Sequence, residues 1–165
     1  MEIKIVRSRR RLRTVSGRLV KDTLLIHVPL ILSKERLDKI VSDFKQKFER
    51  KIIKDSLDKS DDLAARAARI NEKYFSNKLK INSIQYVTGQ NSRFGCCNYN
   101  TADIRISHKV GLMPEWVRDY VVLHEMAHLV EPNHGGAFWE MVNRYKLTER
   151  AKGFLMATGF NFEND

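Results

Sequence analysis

Residues 114–130, PEWVRDYVVLHEMAHLV, restrict the fold more than any other stretch of this chain. Trp116, Val117, Tyr120, Val121, Val122, Leu123, Ala127, Leu129 and Val130 cover most of the circumference of a helix. A helix that is apolar nearly all round is buried, so the rest of the chain must enclose it. Met113-Pro114 opens it, with Pro in the first turn, where its missing N–H costs nothing. Pro132 disfavours helix at Glu131, and Gly135-Gly136 supplies a turn.

The same buried helix carries His124, Glu125 and His128. Two His four residues apart lie one above the other on one helix face, so their imidazoles can share one ion. Glu125 lies about a quarter-turn away and can reach a water at that ion without ligating it. Catalytic zinc takes three protein ligands and leaves a position open. The chain turns back after Pro132, and His134 on that turn can close the set. A lone buried His is usually a hydrogen-bonded core residue. Two His with an interposed Glu in an apolar helix would be costly to bury without a cation. We therefore expect a metal site of His124, His128 and His134, with Zn2+ favoured by three imidazoles. Glu125 is then the expected general base of a hydrolase. Arg93, His108 and Tyr145 are candidate oxyanion stabilisers, and nothing in the spacing chooses among them. Met156, downstream of the third His, reads as core.

Around this centre the pattern predicts an α+β chain folded as one domain, 1–165, with no repeat or long linker. Residues 1–30 read as a basic β unit, with strands at Ile3–Val6, Leu19–Val20 and Leu24–Val28. Residues 34–76 read as paired helices, the first over 34–54 with Ser33 as N-cap, the second from about Asp61 to Phe75. Residues 81–158 read as the metal-site core. It comprises a small antiparallel sheet with a turn at Asn98-Tyr99-Asn100, the buried helix, and helices at 137–146 and 148–157. Cys96 and Cys97 are adjacent and cannot make a disulfide framework; they read as reduced thiols in a strand, one of them buried.

Residues 1–80 hold 22 Lys/Arg against 11 Asp/Glu, and residues 81–165 hold 8 against 9. The densest part is Arg7, Arg9, Arg10, Arg11, Arg13 and Arg18. Such a cluster either attracts polyanions, nucleic acid or nucleotide first among them, or is a solvated charged face. No apolar run reaches the ~20 residues that span a bilayer, so no membrane partner is expected. The first residues lack the apolar core of a secretory signal, which points to the cytoplasm. Nothing in the sequence sets an oligomeric state.

From Ser92 to about Tyr145 the sequence resembles the YgjP-like family of small zinc metallopeptidase domains, relatives of the SprT and WLM proteases. The resemblance rests on Arg93-Phe94-Gly95-Cys96-Cys97, on Tyr120 to His128, on Asn133-His134 and on Phe138-Trp139. It implies a zincin-like fold, metal ligands at His124, His128 and His134, and a catalytic Glu at Glu125. It also implies that an edge strand, residues 93–97 or 103–106, binds extended substrate by adding it to the sheet. The chain departs from the family pattern at Phe94, where the family has Trp, and at Cys96, where it has Ser. Three functions follow in order: zinc-dependent peptidase, nucleotide pyrophosphohydrolase (an activity described for some members), and a nucleic-acid binder or DNA-associated protease like the SprT and WLM relatives.

Overall fold

The computed structural model describes residues 2–90 and 93–158; Ser92, where the family resemblance begins, lies outside them. The fold is α+β, with two three-stranded sheets and six helices among the described residues. Contacts divide the chain into two compact units between Ile52 and Ile53, within the first helix.

The first unit is built on strands β1 (Glu2–Ser8), β2 (Ser16–Val20) and β3 (Thr23–Pro29), followed by helix α1 (Lys34–Ser60). β3 is central, parallel to β1 and antiparallel to β2. Its period-2 pattern buries Leu24, Ile26 and Val28 completely. They pack with Leu37, Ile40, Val41, Phe44 and Phe48 of α1, the helical stripe visible in the sequence. Gly17 faces that helix: a Cβ there would lie 2.5 Å from the Phe44 ring, so only glycine lets helix and strand approach this closely. Ser33 caps α1, its Oγ accepting from the Arg36 N–H at 3.4 Å. The helix continues past the expected residue 54 because Leu57 is buried and Lys54 pairs with Asp58 one turn on.

The second unit contains α2 (Leu63–Phe75), β4 (Ser83–Val87), β5 (Gly95–Asn98), β6 (Asp103–Ser107), α3 (His108–Gly111), α4 (Glu115–Ala127), α5 (Gly136–Val142) and α6 (Thr148–Ala157). Asp62 caps α2 by accepting from the Ala65 N–H at 3.0 Å. The sheet is mixed rather than antiparallel: β6 is central, antiparallel to β5 and parallel to β4. The short turn between Asn98 and Asp103 makes β5 the hairpin partner of β6, and β4 pairs along the other side of β6. Residues 103–106 are therefore central, and of the two segments expected at an edge only β5 lies at one.

Helix α4 packs against α2, α5, α6, β5 and β6. Val117 and the unbroken run Tyr120–Ala127 are buried, as its apolar circumference requires. The helix ends at Ala127 rather than 130, where the Leu129 and Val130 N–H groups turn to the Met126 and Ala127 carbonyls. This i→i+3 winding tightens the last turn ahead of Pro132.

A buried ionic network ties α4 to its surroundings. The Arg66 guanidinium, 5% exposed, donates to Asp61 at 2.7 Å and to Asp119. Asp61 also pairs with Arg118 at 3.0 Å and accepts from the Tyr86 hydroxyl. Burial alone would raise the Asp61 pKa. Hydrogen bonds from Arg66 and Tyr86 and the charges of Arg66 and Arg118 outweigh it, holding the carboxyl below its ordinary range. Replacing Arg66 by Met should cost about 3 kcal/mol in a denaturant unfolding series, because buried carboxylates lose their cation. The stability that Asp61 contributes is complete above its unfolded pKa of about 3.9 and disappears as pH falls through the lower folded value. In Asp61→Asn the unfolding free energy should therefore fall less steeply than in wild type as pH drops below about 4.

Candidate metal centre

His124 lies in the last turn of α4 and His128 at its C-cap. His128 keeps helical dihedrals, φ −65° and ψ −16°, so the two imidazoles stay on one face although the regular helix has ended. His134 sits on the loop between α4 and α5. Its Nε2 is 3.2 Å from Nε2 of His124 and 3.1 Å from Nε2 of His128. One imidazole nitrogen carries either a proton or a lone pair, so hydrogen bonding satisfies at most one of these contacts. A shared cation satisfies both. Nitrogen ligands about 2.0–2.1 Å from a tetrahedral zinc stand roughly 3.3 Å from each other, close to the spacing found. The three ligand atoms lie within 4.8 Å of one another and could hold a metal ion.

The surroundings favour the ligating form of these rings. Burial, then the neighbouring His128, His134 and Lys152, push the His124 pKa down to about 3. The imidazole is neutral at physiological pH, as a ligand must be. The His128 Nδ1 is 3.3 Å from the Glu131 carbonyl oxygen. A proton on Nδ1 donated there leaves the Nε2 lone pair facing the centre.

Phe138, fully buried on α5, sets the position of all three rings. Its centroid lies 4.6 Å from the stacked ring of His128, 4.6 Å from His134 and 4.9 Å from His124. Trp139 stacks against His134 at 5.6 Å and carries the Lys152 ammonium over its own ring at 4.4 Å. These two residues were legible in the sequence only through the resemblance. Their physical signal was two aromatics one helical turn after the third His.

Glu125, 4% exposed, lies against the first residue of β5. A Cβ on Gly95 would stand 2.5 Å from Glu125 Oε1 and 2.7 Å from its Cγ and Cδ. The missing side chain of Gly95 is thus the space in which the carboxyl lies. Burial, then the Glu125 charge, raise the Cys97 thiol pKa to about 12 and shift Cys96 in the same direction. Both thiols are half-buried, where one was expected inside, because β5 is an outer strand whose side chains are incompletely covered.

Tyr145 follows α5, which ends at Val142 instead of 146, and its hydroxyl donates to the Trp116 carbonyl at 2.9 Å. That hydroxyl is committed to the fold. His108 is buried at the start of α3, a four-residue helix the sequence did not suggest, with Nδ1 3.3 Å from the Val87 carbonyl. Arg93 is exposed just ahead of β5. Met156 is 62% exposed, not core: Ala151 and Leu155 take the inward face of α6 and turn it outward.

The family model for the YgjP-like metallopeptidase domain matches residues 7–149. The chain belongs to the YgjP-like metallopeptidase family. As a member of it, the protein is a metal-dependent hydrolase. Its fold is similar to crystal structures of two archaeal metallopeptidase zymogens. Pyrococcus abyssi abylysin shares 14% identity at a TM-score of 0.51, over 61% of this chain and 98% of that one. Methanocaldococcus jannaschii jannalysin shares 19% identity at a TM-score of 0.50, over 60% and 98%. No curated protein matches. No helix among the described residues is long and apolar enough to cross a membrane.

Gly95→Ala should push the Glu125 side chain from its place and cost about 1–3 kcal/mol through overpacking. A crystal structure of the variant with Glu125 unmoved would contradict this reading of the contact.

Proposed function

We propose that this family member is a zinc-dependent peptidase in which His124, His128 and His134 hold the ion and Glu125 is the general base. The convergence of three Nε2 atoms on one point carries the reading. When bound, zinc would supply Lewis acidity, making a water acidic near neutral pH and polarising the scissile carbonyl. Three imidazoles suit zinc and would leave a fourth position for the reacting groups.

Glu125 performs the proton transfers. Its carboxylate, next in sequence to one ligand and enclosed by α4 and β5, takes the proton of the attacking water. It then returns that proton to the leaving amine nitrogen. The same enclosure limits competition from bulk water for that proton. Phe138 and Trp139 hold the ligand rings in place through contacts on α5, so the donor geometry need not be assembled at each turnover.

A peptide substrate is favoured by β5. It is an outer strand, and its first residue touches the Glu125 side chain. Backbone groups on such an edge can pair with an extended peptide, which brings its carbonyls past the carboxylate. Arg93, exposed just before this strand, is the remaining oxyanion candidate whose side chain reaches solvent.

Glu125→Gln should retain zinc and lose about 10²–10⁴-fold in kcat on a peptide substrate, since the amide accepts no proton. Wild-type turnover in that variant would sink the assignment. His134→Ala should lose its zinc on dialysis, read by elemental mass spectrometry; full occupancy would remove His134 from the site.

A further inference from the structure

The arginine-rich stretch of the first unit is not used by the metal centre, and the fold divides it into parts with different roles. Arg7 is structural: its guanidinium donates to the Leu30 carbonyl at 2.8 Å, and the Leu30 N–H returns to the Ser8 carbonyl at 3.2 Å. These bonds fasten the end of β1 to the end of β3. β1 and β3 are parallel and β2 is antiparallel to β3. The loop of residues 9–15 and the segment after Pro29 therefore leave the same end of the sheet. Arg9, Arg10 and Arg13 of that loop are exposed and Arg11 is half-buried. Leu12, between Arg11 and Arg13, is 86% exposed, and Ile31 is 91% exposed.

Charge is segregated along the strands. The first 32 residues contain two carboxylates, Glu2 and Asp22. Both lie at the opposite end of the sheet, where the Glu2 N–H bonds the Asp22 carbonyl at 3.0 Å. At the loop end α1 begins with Lys34, Glu35 and Arg36, adding one further net positive charge. The result is an arginine-bearing tip on a base pinned by hydrogen bonds.

We infer that this tip docks a nucleic-acid duplex through its phosphate backbone. The cations of the loop are all guanidinium groups, whose planar fork matches phosphate oxygens in pairs. Single strands are held mainly by stacking their bases on aromatic side chains. Residues 2–43 contain no Phe, Tyr or Trp, and Phe44 packs onto Gly17 in the unit's own core. A duplex requires no such platform. An exposed aliphatic residue among arginines has a use on a duplex, where apolar side chains wedge between base steps while arginines line the minor groove. Leu12 has that setting.

The test uses the full-length protein and a short fluorescent duplex, with anisotropy followed across a salt series. Replacing Arg9, Arg10, Arg11 and Arg13 together by Gln should weaken binding more than about tenfold at moderate salt. It should also reduce the slope of log K against log salt by about 3–4, near 0.9 per lost phosphate contact. The four exposed or half-exposed positions leave the core intact, and the variant should melt with wild type. The corresponding Arg→Lys variant keeps the charges and should keep most of the slope. Unchanged affinity and slope in the Gln variant would overturn the inference. So would tighter binding to phosphatidylserine vesicles than to duplex, which would make Leu12 and Ile31 the leading contacts, or preference for the single strand. The measurement involves no hydrolysis, so its outcome is independent of the metal-centre reading.

Discussion

Two ionisable side chains, His124 and Glu125, are buried within the otherwise apolar run Tyr120–Ala127 of α4, and the second unit is arranged around that fact. Burying such groups without compensation is unfavourable by several kcal/mol. The helix cannot compensate them itself, because its backbone groups are already paired along its length. Partners have to come from the segments that follow the helix and from one distant strand. His128 and His134 come from the cap and the following loop, Phe138 and Trp139 from α5, and the face of β5 meets Glu125. The turn at Pro132 and the short α5 place His134 and Phe138 against α4 at the same time.

The Arg66 network answers the same problem at the other end of α4. There the charges are matched by charges: Asp61 and Asp119 by Arg66 and Arg118, with the Tyr86 hydroxyl as an added donor. Such an arrangement closes on itself and holds α2, β4 and α4 together. Buried ion pairs of this kind are often no better than hydrophobic replacements for stability alone. Their effect is directional, since a guanidinium with two carboxylate partners fixes the rotation of the helix that carries one of them. At the end that carries the candidate metal centre the rotation of α4 decides whether His124, His128 and Glu125 face β5 and α5 or miss them.

The parts of this arrangement that were legible in the sequence depend on local periodicity. The buried helix, the i,i+4 pair of His, the α1 stripe and the β3 alternation are all written within a few residues. His134 could be placed on the returning turn because Pro132 and Gly135 bound that turn. Features that depend on contacts between distant segments were not legible. The parallel pairing of β4 with β6 needs the long β4–β5 loop, and no pattern within either strand distinguishes parallel from antiparallel partners. Met156 was misplaced for a similar reason: in a short helix, adjacent Leu155 and Met156 fit the inward position equally well by pattern, and only packing assigns it to Leu155. Tyr145 could not be set aside from sequence, since its hydroxyl partner is the carbonyl of Trp116, 29 residues earlier. Gly95 is the converse case: a glycine in a strand signals a close approach, but what approaches it is known only once α4 is in place.

The uneven charge of the chain acquires a physical sense against this background. Residues 81–165, which contain the whole candidate metal centre, hold 8 cationic and 9 anionic side chains. The surplus of positive charge resides in residues 1–80. Exposed charges are screened within about 8–10 Å at physiological salt. Arginines held on an exposed loop therefore act chiefly on what touches them. The two units thus differ in kind: the first presents surface charge, and the second encloses a buried, pre-arranged set of donors.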